Sequence, residues 1–149
     1  MDECEKDSCR TSLKPELLSK LAHIASEHQD VWALYLFGSH AKGKATEQSD
    51  IDLGVLFNPT LNEEQVWSLR LQLADRFSTV GSPRQVDLVV MGEDLDLSFR
   101  ILRQGIKLYV KNHDEVCSRE ATLASMYYDF KPFLDAYLRS VAKGFRAVG

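Results

Sequence analysis

The sequence predicts an α/β (α+β) domain: a small mixed β-sheet flanked by helices, with a helical tail at the C-terminus. Two observations carry this. Short apolar runs of strand length alternate with segments of helical periodicity, in the order αβ(α)βαβαβα. Near the end, Phe130, Phe133, Leu134, Tyr137, Leu138 and Val141 repeat at the spacing of one helix face.

The elements follow in order. Residues 1–12 are charged and polar and read as a disordered lead-in. Pro15 suits the first turn of a helix, where its missing N–H is not needed, and Leu17, Leu21, Ile24 and Ala25 then share a face. Val31 to Phe37 is an apolar run between Asp30 and Gly38 and reads as a buried strand, with Gly38 ending it and opening a brief helical turn. A second strand runs from Asp50 to Phe57 and stops at Asn58-Pro59, because proline cannot donate to a sheet ladder. Asn62 and Gln65 have capping-box spacing, and the helix behind them buries Val66, Leu69, Leu73 and Phe77. After the turn Gly81-Ser82-Pro83, a third strand spans Gln85 to Met91. A helix from Leu95 to Gln104 ends at Gly105, and a last strand covers Lys107 to Lys111. Asp114 can cap the terminal helix, which Pro132 should kink or split. The expected organisation is a lead-in over 1–12, a core over 13–112, and a terminal helix over 113–149 that packs on the core or on a partner.

Composition narrows the function classes. The chain has 149 residues, which suits one domain, and a net charge of −4, which argues against the basic surface that nonspecific nucleic-acid binding needs. No basic duplex-binding module or aromatic stacking platform is evident, so direct nucleic-acid binding is not expected. No apolar run is long enough to span a bilayer and no signal-peptide pattern is present, so the expected location is cytoplasmic, without a membrane partner. Cys4, Cys9 and Cys117 lack zinc-site spacing and read as plain thiols.

The chemistry sits between Gly38 and Asp87. Asp50 and Asp52 flank Ile51 at the start of a strand, and positions i and i+2 of a strand share a face. Two adjacent ionised carboxylates repel unless a cation lies between them, and Mg²⁺ takes one or two carboxylates together with substrate phosphates. Alone, such a pair can equally be a solvated strand end. Asp87 interrupts the apolar run Val86-Asp87-Leu88-Val89-Val90, where a buried carboxylate needs a partner. If its strand neighbours that of Asp52, Asp87 becomes a third ligand. The opposing reading is a side chain facing solvent on a one-sided sheet. Gly38-Ser39 follows an apolar strand and opens a turn whose free amides can meet phosphate, with Lys42 and Lys44 just beyond to neutralise charge. Read alone, Gly-Ser after a strand is an ordinary turn. His40 shows no metal or triad spacing with His23, His28 or His113 and reads as incidental.

These residues resemble a known family. Gly38-Ser39, ten further residues, then Asp50-Ile51-Asp52, with Ala41, Lys42, Gly43 and Ser49 in place and Asp87 in a later strand, is similar to the nucleotidyltransferase superfamily that includes DNA polymerase β. The resemblance is strongest to its minimal members, the MNT-type antitoxins paired with HEPN ribonuclease toxins, and runs from about Leu17 into the terminal helix. It implies a polymerase-β-like nucleotidyltransferase fold. It implies nucleotide contacts at Gly38, Ser39, Lys42 and Ser49, and Mg²⁺ held by Asp50, Asp52 and Asp87, with Asp87 also placed to accept a proton. It implies transfer of AMP from ATP to a tyrosine hydroxyl of a HEPN toxin, which silences it. The chain carries lysine at position 42, where many relatives have arginine, so a bidentate phosphate contact is not implied there. A toxin-binding antitoxin without catalysis, and transfer to a small molecule such as an aminoglycoside, are the alternatives.

Overall fold

The computed structural model describes residues 11–46 and 48–148, with side chains described as far as residue 142. The expected lead-in falls, over residues 1–10, outside the described residues; Ser12, at its end, donates its backbone N–H to the carbonyl of His40.

The elements are α1 (Pro15–Ser26), β1 (Val31–Phe37), β2 (Ile51–Phe57), α2 (Glu63–Gly81), β3 (Val86–Val90), α3 (Leu95–Gln104), β4 (Ile106–Val110) and α4 (His113–Val148). Their starts and stops have local causes. Pro15 opens α1 at its first turn. Asn62 and Gln65 form a reciprocal capping box at the head of α2, with bonds of 2.8 and 2.9 Å. Asp94 caps α3 by accepting from the amide of Leu97, and Gly105 closes it by donating to Ile101. A Cβ at Gly105 would lie 2.6 Å from the Ile101 carbonyl oxygen, so the chain needs glycine to leave the helix there. The terminal helix differs from expectation: α4 runs through Pro132 without a break. The carbonyl that proline leaves unpaired is that of Tyr128, an exposed residue, so water can serve it.

The sheet order is β3-β2-β1-β4. β1 is antiparallel to both β2 and β4, while β2 and β3 run parallel. Alternation along the strands sends side chains to two cores. Leu34 and Leu36 of β1 join Leu53 and Val55 of β2 and Leu88 of β3 under Leu21 and Ile24 of α1 and Leu73 and Phe77 of α2. On the other face Ala33, Tyr35 and Leu56 meet Ile101 of α3 and Val116 and Leu123 of α4. Tyr35 is fully buried there and donates its hydroxyl to Glu120 of α4 at 2.8 Å, while Lys107 of β4 holds the same carboxylate at 2.8 Å. Beyond these anchors α4 leaves the sheet, and Phe133, Tyr137 and Leu138 are mainly exposed. No helix among the described residues is long and apolar enough to cross a membrane.

Candidate active site

The strand register brings the acidic residues together. Asp52 of β2 pairs with Phe37, the last residue of β1, on one side and with Asp87 of β3 on the other. Residues opposite one another in a register share a face, so the two carboxylates project side by side at one end of the sheet. Asp50 lies one residue before β2 begins and is exposed. The amide of Ile51 donates to the carbonyl of Gln85 at 2.8 Å, which fastens the entry of β2 to the entry of β3 immediately beside Asp50.

Asp87 differs from the sequence-based expectation in one respect: it is exposed, because β3 is the edge strand and position 87 lies at its open end. The partly buried carboxylate is Asp52. Its pKa is raised above the usual carboxylate value, first by burial, then by the charge of Asp87 and that of Asp50, with His40 opposing. So the juxtaposition rests on register, and the unfavourable burial falls on the central residue of the row.

Gly38 makes room for that residue. Its φ is +73°, a conformation side chains disfavour, and a Cβ there would lie 2.3 Å from Oδ2 of Asp52. The chain then turns: Lys42 donates its amide to the Gly38 carbonyl at 3.2 Å and Lys44 donates to that of Ser39 at 3.1 Å. This turn carries Ser39 and Lys42, both exposed, directly after the Gly38 that packs against Asp52. An opening turn leaves its first amides without partners inside the turn, which suits them to phosphate oxygens. Ser49 is committed otherwise: its hydroxyl accepts from the amide of Thr46 at 3.0 Å and lies 3.2 Å from the Thr46 hydroxyl.

The donor set suits a hard divalent cation: carboxylate oxygens only, with ionised Asp52 disfavoured by burial and then by its acidic neighbours, and a backbone lacking the Cβ that would fill the space beside it. Among the described residues no group of three or more carboxylate, histidine or cysteine side chains is arranged to hold a metal ion. Substrate phosphates are the ordinary source of the remaining oxygens at Mg²⁺.

One residue was missed in the sequence. His40 is 1% exposed and makes two side-chain hydrogen bonds, Nδ1 with Ser12 Oγ at 2.8 Å and Nε2 with the carbonyl of Ser49 at 2.9 Å. A search for metal or triad spacing among histidines cannot find such a role, because the partners are a serine hydroxyl and a backbone carbonyl.

The family profile described as polymerase beta, nucleotidyltransferase matches residues 19–114, which includes Gly38, the carboxylate row and all four strands. The chain belongs to this nucleotidyltransferase family. Among its relatives, the protein adenylyltransferase MntA of Shewanella oneidensis is 33% identical over 95 residues, covering 63% of this chain and 64% of that protein. Two solved structures share the nucleotidyltransferase fold. One is a tri-AMPylated Shewanella oneidensis HEPN toxin in complex with MNT antitoxin, with a TM-score of 0.63 at 23% identity over 87% of this chain and 99% of that one. The other is a toxin–antitoxin with AMP-PNP, with a TM-score of 0.59 at 24% identity over 90% of this chain and 99% of that one.

Proposed function

We propose that this nucleotidyltransferase is an antitoxin that transfers AMP from ATP to a tyrosine hydroxyl of a HEPN-family ribonuclease toxin and so neutralises it. The observation that carries the chemistry is the row formed by Gly38, Asp52 and Asp87, with Asp50 beside it. The acceptor is supported by the adenylyltransferase name of the Shewanella relative and by the AMPylated toxin bound to a protein of the same fold. The nucleotide is supported by the neighbour that holds AMP-PNP. The exposed apolar face of α4 favours a protein partner over a small-molecule acceptor. A cytoplasmic location belongs to the same proposal.

In this mechanism Gly38 admits the triphosphate close to the backbone, and the amides of the turn with Ser39 and Lys42 hold its oxygens. Asp50, Asp52 and Asp87 would hold Mg²⁺, which when bound would supply charge neutralisation at the phosphates. The tyrosine oxygen forms a bond to the α-phosphorus, the bond from that phosphorus to the bridging oxygen breaks, and pyrophosphate leaves. Asp87, open to solvent at the sheet edge, can face an acceptor arriving from outside and accept the phenolic proton.

The test is incubation with α-labelled ATP, Mg²⁺ and the cognate toxin. Label on a toxin tyrosine is the expected result. An unlabelled toxin in a complex shown to be intact, or an antibiotic that accepts AMP while no protein does, rejects the proposal.

A further inference from the structure

We infer that His40 is a positioning residue that sets the backbone of Asp50 for ion and nucleotide binding, an inference that rests on the nucleotidyl-transfer reading of the site. Asp50 stands outside the sheet, so no ladder orients it. Two hydrogen bonds do so instead. The carbonyl of Ser49 belongs to the peptide that leads into Asp50, and His40 Nε2 holds it at 2.9 Å. The amide of Ile51 belongs to the peptide that leaves Asp50, and the carbonyl of Gln85 holds it at 2.8 Å. Asp50 is therefore pinned on both sides, once to the Gly38–Ser39 turn through His40 and once to the strand that bears Asp87.

The chemistry of the partners fixes the ring. A carbonyl only accepts, so Nε2 carries the hydrogen and donates it to Ser49. In the neutral ring Nδ1 is then an acceptor, and the Ser12 hydroxyl donates to it at 2.8 Å. The amide of Ser12 also donates to the His40 carbonyl at 3.3 Å, and Leu13 next to it is buried. With 1% exposure, the ring makes both bonds shielded from water, where hydrogen bonds are stronger and their loss is costlier. Burial alone demands partners on both nitrogens; what ties this ring to the site is that one of them is the peptide preceding a proposed ligand.

The experiment compares two amide replacements. In His40→Gln the side-chain amide reaches the Nε2 position and can still donate to Ser49. In His40→Asn it reaches only the Nδ1 position. Mn²⁺·ATP affinity is read by electron paramagnetic resonance without any acceptor protein. His40→Gln should bind within about threefold of the parent. His40→Asn should lose about 10–100-fold, the usual cost of removing an orienting group behind a ligand. Melting midpoints show that the difference is not one of folding. In the parent, long-range ¹H–¹⁵N correlation should show a slowly exchanging Nε2–H and a bare Nδ1. Equal affinities for the two variants overturn the inference, and so does an Nδ1–H tautomer, which decides the matter even where a variant does not fold. Because no toxin is present, failure of AMP transfer to a protein would leave this result standing.

Discussion

Gly38 and Asp52 are packed so closely that the missing Cβ of the glycine is what accommodates the carboxylate: an added methyl would sit 2.3 Å from Oδ2. The same glycine has φ +73°, so any side chain adds backbone strain to the collision. Gly38→Ala is therefore expected to lower AMP transfer by about 100-fold or more through displacement of Asp52. It should also cost about 1–2 kcal/mol of stability from the left-handed backbone alone. Steady-state transfer rates and urea titration check the two effects separately.

Asp52 also has a pH signature. Burial first, then Asp87 and Asp50, raise its pKa in the folded chain above the unfolded value. Below the unfolded value both states hold the proton and nothing is lost. As pH rises towards the folded value the unfolded state ionises first, so stability falls, and above it the penalty is complete. Asp52→Asn should thus raise the melting midpoint at neutral pH by about 1–2 °C in metal-free buffer, a small change because the group is partly exposed. The gain should vanish at pH values below the ordinary carboxylate range. Calorimetry at two pH values checks this.

Mg²⁺ should reverse the order. Adding it with a non-hydrolysable ATP analogue stabilises a protein that binds both only when folded. The parent chain should gain in melting midpoint, and Asp52→Asn and Asp87→Asn should gain little. Equal gains in all three would place the ion elsewhere.

The terminal helix divides into an anchored and a free portion. Leu123 is 2% exposed in the core beneath α4, whereas Phe133 is 75% exposed. Leu123→Ala should cost about 2–5 kcal/mol, and Phe133→Ser should stay within about 0.5 kcal/mol despite removing the larger side chain. Denaturant unfolding of the isolated protein measures both.

Most elements were legible in the residues. The strand bounds expected for β1 coincide with those observed, β2 differs by one residue at its start, and β3 and β4 differ by one residue at each end, because Gly38, Asn58-Pro59 and the capping pair Asn62 and Gln65 act locally. The side-by-side placement of Asp52 and Asp87 was not legible in the same way. It depends on β2 and β3 being parallel neighbours, a long-range pairing that no local pattern encodes. For that reason the sequence suggested a buried Asp87, while the structure buries Asp52 and leaves Asp87 at the sheet edge. His40 was invisible for a related reason: its role is defined by Ser12 and by the Ser49 carbonyl, 28 and 9 residues away.

The most direct measurement is single-turnover transfer of label from α-labelled ATP to the toxin in a preformed complex, comparing the parent with Asp52→Asn. Working with the bound complex separates chemistry from association. The parent should label a toxin tyrosine, and Asp52→Asn should slow that step by about 1,000-fold or more while the complex stays intact, an effect of roughly 4 kcal/mol on the barrier. Labelling by Asp52→Asn at the parental rate would contradict the assignment of the Gly38–Asp52–Asp87 row as the catalytic centre.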